Sequence, residues 1–189
     1  MFNMKNELQT YLTTVIENFH NLIVQSDTIE AAAQLCIKAL KMDGKIIFCG
    51  NGGSAADSQH LAAEFMGRFL VDRAPLASLA LTVDTSALTA ISNDYGYEQV
   101  FARQLRGIGR AGDVLIGLST SGTSKNVIEA LSAARDLGIS CIALTGEQES
   151  PMSDMADIAL RVPSTQTNHI QEMHIVIGHM ICSLVEAQL

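Results

Sequence analysis

The chain is 189 residues long and 48% hydrophobic, which is enough for a full core and too apolar for disorder. Its formal net charge is −8 and its 12 Lys and Arg form no cluster, which excludes a protein that grips the phosphate backbone of nucleic acid. There is no basic leader followed by an apolar block, and no apolar run long enough to span a membrane. The expectation is a cytoplasmic protein with one domain over residues 1–189. Cys36, Cys49, Cys141 and Cys182 stand singly in apolar segments without a C-x-x-C pair, as reduced buried thiols do.

Leu8, Leu12, Val15, Phe19 and Leu22 recur every three to four residues and predict an amphipathic helix over about residues 5–25. It lies outside the α/β alternation that follows and reads as a packing or oligomer element. Asp27 with Glu30 has the form of a capping box and predicts a second helix that stops at Asp43-Gly44. The apolar run 46–49, bounded by glycines, predicts a buried strand. Asn51-Gly52-Gly53 then supplies a tight turn, and Ser54 is a good N-cap for the helix after it.

Residues 78–82 read as a second strand, and 85–92 and 98–108 as helices separated by the turn signal Asn93-Asp94-Tyr95-Gly96. A third strand, 114–118, runs into Ser119-Thr120-Ser121-Gly122-Thr123-Ser124 and a helix stopped by Gly138. Residues 140–144 and 158–162 give two more strands, and 170–188 a closing helix. Strands alternating with helices predict a doubly wound α/β domain: a five-stranded parallel sheet with helices on both faces.

Four features carry chemistry. The strand–glycine turn–helix at residues 46–54 directs free backbone N–H groups and a positive helix end at one spot, which suits an anion. The loop 119–124 adds hydroxyls to main-chain N–H groups at a second helix start, a cradle that holds phosphate without a lysine. His60 and Glu64 lie one turn apart on one helical face, as an imidazole–carboxylate pair or as two positions of a zinc shell. In the closing helix, Gln171, His174 and His179 are polar residues in an apolar sequence. Gln171 and His179 fall within about 80° around the axis and about 12 Å along it, so they share a ligand only by leaning inward. His174 faces away from His179 and reads as structural, and His20 as a surface residue. A dinucleotide reading of Gly50-x-Gly52-x-x-Ala55 is disfavoured, because Asp84, the acid after the second strand, lies past the usual spacing for a ribose ligand.

Together CGNGGSAAD, the STSGTS loop and IQEMH…H resemble the sugar isomerase (SIS) domain family, closest to its phosphoheptose isomerase branch, over nearly the whole chain. The resemblance implies substrate contacts from Asn51, Gly52, Gly53 and Ser54, from Asn93 and Asp94, and from Ser119, Thr120, Ser121 and Ser124. It implies a zinc ion held by His60, Glu64, Gln171 and His179, with Glu64 and Gln171 also touching substrate. Glu64 and His179 are the implied acid/base pair. It further implies a homotetramer with sites shared between subunits. The family usually has Arg before the I-Q-E triplet, where this chain has His169.

Two functions of different classes follow. One is an aldose–ketose isomerase converting sedoheptulose 7-phosphate to D-glycero-D-manno-heptose 7-phosphate, a precursor of ADP-heptose for lipopolysaccharide cores. The other is a non-catalytic tetrameric relative that binds the bacterial replication initiator and lacks the catalytic Glu and final His. Glu64 and His179 are both present here, which favours the enzyme. A sugar-phosphate sensor is a weaker third, since no DNA-binding segment is visible in the sequence.

Overall fold

The structure is a computed structural model that describes residues 3–189. Helix α1 (Met4–Leu22) passes through a 3₁₀ turn (Ile23–Gln25) into α2 (Ser26–Lys41), followed by β1 (Ile46–Gly50) and α3 (Gly53–Met66). Next come β2 (Ser78–Ala80), α4 (Thr85–Tyr95), a 3₁₀ turn (Tyr97–Gln99), α5 (Val100–Ile108) and β3 (Val114–Leu118). The chain closes with α6 (Lys125–Asp136), β4 (Ser140–Thr145), α7 (Pro151–Met155), β5 (Ile158–Arg161) and α8 (Thr167–Glu186).

All strand pairs are parallel, in the order β2-β1-β3-β4-β5. Successive side chains of a strand point to opposite faces, so one sheet feeds two cores. Ile46 and Phe48 of β1 join the layer of α2, α3 and α8, while Ile47 and Cys49 join that of α5 and α6. The central strands β1 and β3 are buried on both sides, which is why they read as unbroken apolar runs. At the amino end, Asp113 ties β1 to β3: its Oδ2 lies 2.6 Å from Lys45 Nζ, and its Oδ1 accepts from Lys45 N at 3.0 Å.

At the carboxyl end the strand order reverses about β1 and β3, and ligands of open α/β sheets bind at such a switch point. Gly50 pairs with Leu118, so the Gly52 turn and the Ser119 loop leave the sheet side by side.

The structure departs from the sequence-based expectation at several ends. The Asp27–Glu30 capping box does not form, because α2 continues from the preceding 3₁₀ turn and Gln25 at its start makes no side-chain cap. Ser54 is not the N-cap of α3: Gly52 is, at φ 57° and ψ −121°, a conformation reserved for glycine. Asn93 and Asp94 form the last turn of α4, not a loop; Gly96, at φ 88°, stops the helix two residues later. The 98–108 helix splits into a 3₁₀ turn and α5. The short α7 was not foreseen, and α8 begins three residues before the expected start. α1 packs through Phe19 and Leu22, while Leu8 and Leu12 of the same stripe stay 66% and 60% exposed. All four cysteines are free and buried, as read from the sequence.

Candidate active site

The β1 turn is built for close approach. A Cβ on Gly53 would come within 2.7 Å of Gln171 Nε2, so only glycine lets the amide of α8 lie against the start of α3. Ser54 sits in the first turn, buried, with its carbonyl accepting from Ser58 Oγ at 2.7 Å. Asn51 makes a reciprocal pair with Asn126 of α6, each amide donating to the other at 2.8 Å, and Tyr97 OH donates to the same Asn51 oxygen at 2.9 Å. Both acceptor positions of that oxygen are used, leaving one amide N–H of Asn51 for a ligand. The sequence reading missed Asn126 and Tyr97, which carry no local signal beyond polarity.

The β3 loop is a ring of hydroxyls. Ser119 Oγ lies 2.8 Å from Ser124 Oγ and 3.4 Å from Ser121 Oγ, which is 2.9 Å from Thr123 Oγ1. Two backbone donors join them: Gly122 N donates to Ser119 Oγ and Thr123 N to Ser121 Oγ, each at 3.2 Å. The turn needs Gly122, at φ 66°, because a Cβ there would overlap Ser150 Oγ at 2.2 Å. Beside the loop opens a cavity of about 330 Å³, lined by Thr120, Ser121, Thr123, Gly146, Thr165 and Ile170. Hydroxyls that satisfy one another can turn outward to a phosphate while the N–H groups and the start of α6 face the same charge.

The third element is a cluster at the α3–α8 contact. His60 Nε2 lies 3.0 Å from His179 Nε2 and 3.2 Å from Glu64 Oε1, and one ligand atom from each of the three falls within 4.8 Å of the others. Two helices reach this distance because Gly178 has no side chain: a Cβ there would overlap Leu61 at 2.4 Å. Phe69, just beyond α3, stacks on the His179 ring with centroids 5.4 Å apart and planes at 21°. The cluster fits a divalent metal. Two imidazole nitrogens and a carboxylate oxygen are borderline-soft donors, and their spacing is near the edge of a tetrahedron with ~2.0–2.1 Å bonds, about 3.3 Å.

Gln171 lies about two turns before His179 on the same helix α8. Its amide lies at Gly53, about 10 Å up the axis of α3 from His60. Asn93 and Asp94 are exposed and paired with each other, Asn93 Nδ2 donating to Asp94 Oδ1 at 2.8 Å; beyond Gly96, Tyr97 reaches Asn51 beside the Gly52 turn. His169, at the family's Arg position, is buried with Nδ1 2.8 Å from Glu172 Oε2 and its ring 4.7 Å from that of Tyr11. Tyr11 OH also donates to Glu172 Oε1, tying α1 to α8. His174 is fully buried, and burial lowers its pKa to about 4 although its Nε2–H donates to Thr145 O at 3.2 Å. His20 is exposed, and Asp84 caps α4 through Ala87 N.

The doubly wound parallel sheet defines the class, and the chain belongs to the SIS domain family, whose profile matches residues 10–146. Its similar proteins are more particular. It is 51% identical to a phosphoheptose isomerase of Akkermansia muciniphila, over 98% of both chains. The solved phosphoheptose isomerase of Neisseria gonorrhoeae superposes with a TM-score of 0.93 at 44% identity, covering 98% of this chain and 100% of that one. That of Francisella tularensis gives 0.95 at 34% identity, with the same coverage.

Proposed function

We infer that the chain is a phosphoheptose isomerase, an aldose–ketose isomerase of a seven-carbon sugar phosphate. The observation that carries the chemistry is the convergence of His60, Glu64 and His179 at the α3–α8 contact, on the helix that begins at the Gly52 turn. The reaction moves one proton between neighbouring carbons and another between their oxygens. Glu64 directs Oε1 at His60, and its second oxygen takes the proton from C1 of sedoheptulose 7-phosphate and returns it to C2. His179 directs Nε2 at His60 and moves the proton between O1 and O2 as the enediol forms and collapses. Zinc, when held by His60, Glu64 and His179, supplies positive charge for the oxygens of the enediol. Ser119, Thr120, Ser121 and Ser124 hold the phosphate, and Asn51, Gly52, Gly53 and Ser54 the sugar chain, with Asn93, Asp94 and Gln171 completing the substrate contacts.

Glu64 and His179 also favour the enzyme over a replication-initiator-binding protein, which has no use for a convergent acid/base and ligand set. The exposed stripe Leu8, Leu12 and Ile16 on α1 is a face that another copy can cover, which supports a homotetramer with shared sites. Among the described residues no helix is long and apolar enough to cross a membrane. That accords with a cytoplasmic enzyme supplying ADP-heptose for lipopolysaccharide, built as one domain over residues 1–189. Incubation of the purified protein with sedoheptulose 7-phosphate, read by NMR, should show the aldose at equilibrium with the ketose; an unchanged ketose spectrum would refute the reading.

A further inference from the structure

One buried carboxylate outside the catalytic set is linked, through Arg73 and the segment at Phe69, to both Glu64 and His179. Glu186, in the last turn of α8, accepts hydrogen bonds from three consecutive backbone N–H groups: Phe69 at 3.0 Å, Leu70 at 2.7 Å and Val71 at 2.9 Å. Arg73 Nε lies 3.0 Å from Glu186 Oε1. Burial alone would raise the Glu186 pKa, but the three N–H groups and Arg73 hold it below the usual carboxylate range. The other end of Arg73 closes α3: Nη2 donates to the carbonyl of Glu64 at 2.9 Å, and Nη1 to that of Phe65 at 2.9 Å.

The consequence runs in two directions. Through Arg73 the carboxylate fixes the backbone of Glu64, whose orphan carbonyl at a helix end would otherwise face water. Through the Phe69 N–H it fixes the segment that lays the Phe69 ring on His179. Among the described residues the one hydrogen bond of His179 is to His60, through Nε2, so the stacked Phe69 ring helps limit rotation of the imidazole about its own axis. A ligand nitrogen must be aimed as well as present, and groups that orient metal-bound histidines typically change affinity by about 10–100-fold when lost.

We propose that Glu186, Arg73 and Phe69 form a positioning clamp that aims Glu64 and His179 at the ion. It rests on the metal reading of the His60–Glu64–His179 cluster. Glu186 and Phe69 act through Glu64 and His179.

The test is zinc affinity of metal-free protein, measured by competition with a chromogenic chelator, alongside thermal unfolding of the same samples and turnover with sedoheptulose 7-phosphate. Phe69→Leu keeps most of the apolar volume and removes the ring; Phe69→Tyr keeps the ring. Glu186→Gln keeps the shape and loses an acceptor for the backbone N–H groups. Phe69→Leu and Glu186→Gln should each weaken zinc binding about 10-fold or more and lower kcat with little change in KM, while Phe69→Tyr restores both. A merely structural role would lower the unfolding temperature of Phe69→Leu and leave its zinc affinity at the wild-type value, and that result overturns the clamp. Wild-type protein that binds no zinc would instead remove the metal reading, and the clamp with it. Should Glu186→Gln fail to fold, the Phe69 pair decides alone.

Discussion

The hydroxyl loop at the carboxyl end of the sheet and the cluster between α3 and α8 are made in opposite ways. The hydroxyl loop is one contiguous segment of six residues, pre-ordered by its own hydrogen bonds and by Gly122. The α3–α8 cluster joins His60 to His179 across 119 positions, and nothing in either helix alone would assemble it. A local cradle tolerates movement of its surroundings; a cluster shared by two helices depends on the packing between them. Binding of phosphate and chemistry on the sugar should therefore separate under mutation.

The largest separation is expected from the cluster itself. Glu64→Gln keeps the shape and removes the base, so turnover should fall by at least about 10²-fold, while inhibition by inorganic phosphate keeps its wild-type constant. Near-normal turnover would take Glu64 out of the role of base. The converse variant is Ser121→Ala, which removes a hydroxyl that would meet a charged ligand, a contact of roughly 1.5–3 kcal/mol or about 10–100-fold in affinity. Affinity for sedoheptulose 7-phosphate should weaken and that for the unphosphorylated heptulose should not. Equal weakening of both would put the phosphate elsewhere.

Gly178→Ala probes the dependence on packing. The new methyl would overlap Leu61, an overpacking that costs about 1–3 kcal/mol and pushes α8 off α3. Thermal unfolding should fall and kcat with it, again with phosphate inhibition unchanged; a variant with wild-type kcat would mean the cluster is not sensitive to the helix spacing.

Five residues before His179 on the same helix, His174 should leave turnover untouched and reveal itself only in stability. Its folded pKa, about 4, lies below the ordinary 6.5, so between these values the unfolded chain takes up a proton that the folded one refuses. That contribution is complete above pH 6.5 and is lost as pH falls toward 4, amounting to about 2 kcal/mol between about pH 7 and pH 5. Denaturant titrations at the two values should show a smaller difference in His174→Gln than in wild type; equal differences would assign the acid sensitivity to other groups.

The same contrast governs how much could be read in the sequence. The Ser119 loop is legible because its residues are neighbours and its strand and helix announce themselves by apolar period. The parallel sheet is legible for that reason too. His60 and Glu64 were visible as an i, i+4 pair, but their meeting with His179 followed only from family resemblance, since no spacing rule connects α3 to α8. Phe69, Arg73, Asn126, Tyr97 and Glu186 went unread because each acts through a tertiary contact; the nearest thing to a signal is an acid at position 186 in an apolar helix. Missed ends have local causes. The Gly52 conformation starts α3 earlier than a Ser54 cap would, and Asn93-Asp94, good turn formers, stay helical until Gly96 permits the stop. α7 had a readable start in Ser150, Pro151 and Ser153, which do form a capping box, but five residues are too few to show a helical period.

The most direct measurement pairs metal content with isomerisation in one sample. Protein stripped by chelator, verified metal-free and still folded by circular dichroism, is assayed with sedoheptulose 7-phosphate by NMR before and after one equivalent of zinc. The expected result is no aldose before zinc and restored turnover after it, with His179→Ala inactive in both. Full activity in the verified metal-free protein would contradict a metal site at His60, Glu64 and His179 and leave Glu64 and His179 as a bare acid/base pair.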